Sequence, residues 1–172
     1  MCYKMIIEKF KIKGWKKKEI GIVISENEDW ILVKSIPVDY VVDGYKIFNK
    51  TFIKKREPIL KYDKLFIVLE LKNINLDVPK DFKFGSTLDL LNWSEEKYGL
   101  FEFQDDDETE LFYGKLNKIL DNEFVIDMVL SNGKMENQYE FNFLINEIRV
   151  ITFETDYFES IILLMNYQNS NS

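Results

Sequence analysis

The chain of 172 residues contains no histidine. That excludes His-based acid/base catalysis, Ser-His-Asp and Cys-His dyads, and histidine metal ligands. Its one cysteine, Cys2, stands near the start. No disulfide can close within the chain, and no CxxC metal or redox motif exists. Gly-rich phosphate loops such as GxGxxG or GxxxxGK[ST] are absent. Seven glycines and three prolines argue against long flexible linkers. No run approaches the ~20 apolar residues of a membrane span. The opening Met1-Cys-Tyr-Lys-Met-Ile-Ile-Glu-Lys lacks the longer apolar core of a signal peptide. These absences lead us to expect a soluble, cytoplasmic protein that is not a hydrolase, oxidoreductase or metalloenzyme and needs no cofactor.

What is present points to a packed core. Hydrophobic residues make up 46% and aromatics 15%, so the chain reads as globular, not disordered. The net charge of -7 hides a division. Residues 1–64 carry 15 Lys+Arg against 9 Asp+Glu, and residues 65–172 carry 8 against 21. Such asymmetry marks either a partner or nucleic-acid surface, or two solvated surfaces that attract each other.

A pattern occurs twice. Gly21-Ile-Val, Trp30-Ile-Leu-Val, Tyr45-Lys-Ile, Ile53 and Tyr62 are followed by Gly114-Lys-Leu, Phe124-Val-Ile, Tyr139-Glu-Phe, Ile148 and Tyr157. The offset is 93 at the glycines, 94 at the aromatic anchors Trp30 and Phe124 and the first tyrosines, and 95 at the isoleucines and last tyrosines. Single-residue loop insertions leave such a drift. Its recurrence makes Trp30, Phe124, Tyr62 and Tyr157 expected core residues.

Local signals within each copy favour strands. Glu19 to Ser25, Trp30 to Ile36 and Tyr45 to Phe48 are apolar or β-prone, with turns at Glu26–Asp29 and Asp43-Gly44. Leu100 to Gln104, Leu111 to Ile119, Glu123 to Leu130 and Gln138 to Phe143 read likewise, with Asn132-Gly133 as a turn. Helices are expected at Tyr62 to Leu71, at Leu88 to Glu96 behind a Ser86 or Thr87 cap, and after Asp156, where Glu159 completes a capping-box pattern. The fold class expected is mainly β with minor α. Two duplicated barrels cover residues 1–75 and 86–167, each closed by a short helix. Residues 76–85 form a linker and 168–172 a disordered tail.

Four or five short strands and a closing helix per copy resemble tandem SH3-like or Sm-like barrels. The phrase Ile36-Pro-Val-Asp-Tyr-Val-Val-Asp-Gly-Tyr-Lys-Ile-Phe-Asn-Lys also resembles one in small bacterial proteins, some of them similar to immunity proteins of toxin systems. That resemblance covers about residues 15–60 and brings no known chemistry. It implies a protein-binding role.

Two surfaces follow. Asp105, Asp106, Asp107, Glu108 and Glu110 lack the glycine and alternation of an EF-hand loop, so they read as a solvated hairpin tip or an acidic patch for a basic protein. Tyr113 or Trp93 is its expected aromatic anchor. A third reading is a structural or regulatory domain with no dedicated site, and the main alternative is single-stranded nucleic acid on Trp15, Lys16, Lys17, Lys18, Lys54, Lys55 and Arg56, with Trp15 or Tyr45 as stacking surfaces. Overall acidity works against it. Asp39 and Asp43 bracket Tyr40, but no nucleophile or oxyanion hole accompanies them, and Asp43-Gly44 reads as a turn.

Overall fold

The computed structural model describes residues 4–172. The chain divides into two compact units, Met1–Phe82 and Lys83–Ser172. Strands dominate both: the described residues form ten antiparallel strands and three α-helices. No helix among the described residues is long and apolar enough to cross a membrane.

The first unit contains β1 (Ile7–Ile12), β2 (Glu19–Glu26), β3 (Trp30–Ser35), β4 (Tyr45–Asn49), β5 (Ile53–Pro58) and α1 (Lys64–Leu71). Its strands lie in the order β5-β1-β2-β3-β4. Ile7, Phe10 and Ile12 of β1 are buried, Ile7 on the face opposite Phe10, and Trp30-Ile-Leu-Val in β3 is buried on both faces. A continuous apolar run fits a central strand covered on both sides. Asn27 shapes the β2–β3 turn, its Oδ1 accepting from the N–H groups of Asp29 and Trp30. Asp63 caps α1 by accepting from Leu65 N–H at 2.8 Å. Phe66 and Leu69 of α1 then pack on Ile7, Ile22 and Ile36.

The second unit contains α2 (Thr87–Tyr98), β6 (Phe101–Gln104), β7 (Phe112–Ile119), β8 (Glu123–Met128), β9 (Phe141–Leu144), β10 (Val150–Phe153) and α3 (Asp156–Ser170). Its order is β10-β6-β7-β8-β9. Ser86 and Asp89 close a capping box on α2. Phe103, Phe124 and Phe143 stack edge and face within the sheet's core, with centroids 4.8–5.8 Å apart.

Gly21 pairs with Glu8 and Ser35, and a bulge follows between Val23 and Ser25. Gly114 pairs with Phe101 and Met128, and a bulge follows between Leu116 and Lys118. Each unit places a 3-10 turn between its fourth and fifth strands, Lys50–Phe52 and Ile145–Glu147.

Several expectations are corrected. Closed barrels are not seen: among the described residues β4 does not pair with β5, nor β9 with β10. A three-residue 3-10 turn redirects the chain between each pair, so the two strands do not continue as a hairpin ladder. Counted from the two glycines, Phe124 matches Ile31, and Trp30 matches Glu123. Tyr62 precedes the α1 cap and is 81% exposed, whereas Tyr157 lies inside α3 and is 50% exposed. Neither is core. The chain passes through Ile59–Tyr62 before reaching the Asp63 cap, but runs almost directly from β10 to the α3 cap. That cap is Thr155, not Asp156, and accepts from Phe158 N–H at 3.0 Å. The helix continues to Ser170, so the expected disordered tail is helical over 168–170. No proline or glycine stops it there, and Gln168 donates to the Asn132 carbonyl.

Candidate functional site

The acidic run forms the turn between β6 and β7. Gln104 Nε2 donates to the Glu108 carbonyl at 3.0 Å, pinning the turn at its base. Asp107 accepts from Thr109 N–H at 2.8 Å and from Thr109 Oγ1 at 2.7 Å. Those bonds, the hydroxyl first, hold its carboxyl below the ordinary aspartate range. Asp107 therefore shapes the turn. Asp105 is half-buried, and that burial, with Asp106 beside it, pushes its carboxyl upward despite opposing backbone hydrogen bonds. Asp106 and Glu110 are exposed, and Glu108 is half-buried. Among the described residues no three acidic side chains gather around a position that would hold a metal ion.

Charge balance sets the character of this unit. Residues 83–172 carry 6 Lys+Arg against 18 Asp+Glu. Lys118 pairs with Glu140 at 3.1 Å, and Arg149 with Glu147 at 3.6 Å. No internal pairing of six cations can neutralise eighteen carboxylates.

The expected aromatic anchors lie elsewhere. Tyr113 is buried, directly opposite Glu102 across the β6–β7 ladder, and one oxygen of that carboxylate, Oε2, has no hydrogen-bond partner among the described residues. Its ring also meets Tyr157 at 5.7 Å. Burial first, then the Glu102 charge, push the phenol well above its ordinary range. Trp93 is half-buried against Phe153 at 5.0 Å and Tyr98 at 5.8 Å, with Lys97 over its ring. Both are packing residues in this fold. Sequence reading missed Glu102, a charged residue 3% exposed between β7 and β10. Its apolar neighbours Phe101 and Phe103 were the available signal.

The basic residues of the first unit are interleaved with acids. Glu57 holds both Lys18 and Lys55. The Arg56 guanidinium donates to Glu8 at 2.7 Å and to both Glu26 oxygens at 2.9 and 3.3 Å, over the Phe10 ring. Glu26 also takes Lys50 at 2.7 Å. Lys16, Lys17 and Lys54 are exposed, but Trp15 is 4% exposed and Tyr45 is 9% exposed. Neither ring offers a face on which a base would stack.

Comparison with known protein families, curated proteins and solved structures finds no match to this chain.

Proposed function

We propose that the protein is a non-catalytic binding module whose second unit engages a basic protein, in the manner of an immunity-type inhibitor. The excess of carboxylates over cations in residues 83–172 carries this reading. The first unit uses Lys18, Lys46, Lys50, Lys55 and Arg56 in its own ion pairs, which weakens the case for a nucleic-acid groove. An acidic face steers a basic partner into fast, salt-sensitive association. At the β6–β7 turn, Asp105 ionises at a cost that a partner's Arg or Lys would offset.

We read the two units as copies of one small SH3-like or Sm-like module. The same strand order, the glycine before each bulge and the 3-10 turn before the last strand support that reading.

The test is affinity capture from the native cell with the wild-type chain and with the D105K/D106K/E110K variant as baits. A basic protein enriched only by the wild type is expected. Its association rate should fall several-fold between low and physiological salt. Recovery of RNA, with binding that survives the charge reversal, would overturn the proposal. In the free protein, the raised Asp105 carboxyl favours the folded state below the unfolded aspartate value of 3.8 and loses that contribution as pH rises through the folded value. Asp105→Asn should therefore stabilise the fold at pH 7, by under about 1 kcal/mol after solvent screening, while weakening partner binding.

A further inference from the structure

We propose that the first unit binds an amphipathic monoanion in the groove beside α1: a carboxylate with an apolar tail of about eight to ten carbons. The groove has a volume of about 350 Å³, within the roughly 300–1,000 Å³ typical of small-molecule sites. Phe66 and Leu69, buried on the inner face of α1, form its floor, and half-buried Met5, Ile74 and Leu76 complete the apolar wall. The segment carrying Ile74 and Leu76 is irregular, so the wall is an extended strap and not a packed helix or strand.

The rim supplies the polarity. Lys4 and Lys61 line the groove and are exposed. Among the described residues neither is held in an ion pair, unlike Lys18, Lys46, Lys50, Lys55 and Arg56 of the same unit. Lys61 stands just before the Asp63 cap, at the positive end of the α1 dipole. Glu70 and Asn73 line the opposite end, where the last carbonyls of α1 also project. An anion is favoured at the Lys61 end and disfavoured at the Glu70 end. The head therefore sits by Lys61, and the tail runs along α1 toward Ile74 and Leu76. Eight helical residues span about 12 Å, which sets the tail length.

Calorimetric titration of the full chain with octanoate, decanoate, 1-octanol and octylammonium tests the site. One carboxylate should bind per chain, with affinity rising roughly fourfold for each added methylene. The alcohol should bind at least about tenfold more weakly, and the ammonium should not bind. Lys61→Met should weaken octanoate binding about tenfold and leave the alcohol unchanged. Lys54→Met, outside the groove, should change neither. Lys4→Met provides a second rim variant should Lys61→Met fail to fold in a thermal melt. Absence of saturable binding, equal affinity for acid and alcohol, or rim variants with wild-type affinity would each overturn the proposal.

Discussion

A methyl group on Gly21 would stand 2.6 Å from Cγ2 of Val33 on the neighbouring strand. No real Cβ tolerates that distance, so β2 and β3 approach as they do only because position 21 has no side chain. Gly114 is in the same position relative to β8, where the obstruction is the Asp127 carbonyl at 2.7 Å. Rotation can move the Val33 methyl, but not the Val33 Cβ at 2.8 Å, nor the carbonyl that faces Gly114. Gly21→Ala should cost about 1–3 kcal/mol and Gly114→Ala at least as much, measured as urea midpoints at unchanged slope. A Gly21→Ala variant within about 0.5 kcal/mol of wild type would mean that the strands relax apart freely.

These glycines also show how far the fold was legible. Both were visible as repeated features, and the strand and turn signals around them placed most elements. Ser86, the Asp43-Gly44 turn and the β-prone Trp30 segment all act locally, and local chemistry is readable. Register is not local. Trp30 and Phe124 look alike as aromatic anchors, but Trp30 lies opposite Asn49 and Phe124 opposite Phe143. A one-residue slip reverses the face a side chain presents, so similar composition did not guarantee equivalent positions. The basic run of the first unit shows a related effect. Glu57 reaches Lys18, and Glu8 reaches Arg56, only after β1, β2 and β5 have paired. Those contacts turn a basic run into an alternating network. The five acidic residues of the β6–β7 turn are contiguous enough in the sequence to be read as one tip before the fold is known.

Glu57 gives a direct measure of that network. Hydrogen bonds from Lys18 first, and then from Lys55, pull its carboxyl down from 4.5 to about 2. A depressed carboxylate stabilises the fold fully above its unfolded value near 4.5, and the contribution disappears as pH falls toward 2. A carbon-detected NMR titration should place the Glu57 midpoint near 2. Lys18→Met should raise it toward 4.5 by more than Lys55→Met does, and 1 M salt should raise it in the wild type. A wild-type midpoint near 4.5 would show that the bridge does not persist in solution.

Tyr113 and Glu102 test the buried side of the second unit. Tyr113→Phe keeps the ring and its packing against Tyr157 but removes the hydroxyl on which the Glu102 carboxylate, 3% exposed, acts across the ladder. A hydroxyl's net contribution beside a buried polar group is about 0.5–1.5 kcal/mol, so the variant should be less stable by that amount at pH 7. The pH dependence adds an independent reading. The Tyr113 phenol is raised in the folded state by burial and by Glu102. It therefore stabilises the fold below the unfolded tyrosine value of about 10, and that stability drains away as pH rises further. Thermal melts from pH 7 to 11 should show a steeper alkaline loss in the wild type than in Tyr113→Phe. The other eight tyrosines are common to both proteins and cancel in the comparison. Equal stability at pH 7 together with parallel alkaline profiles would mean that the Tyr113 hydroxyl beside Glu102 contributes nothing to the fold.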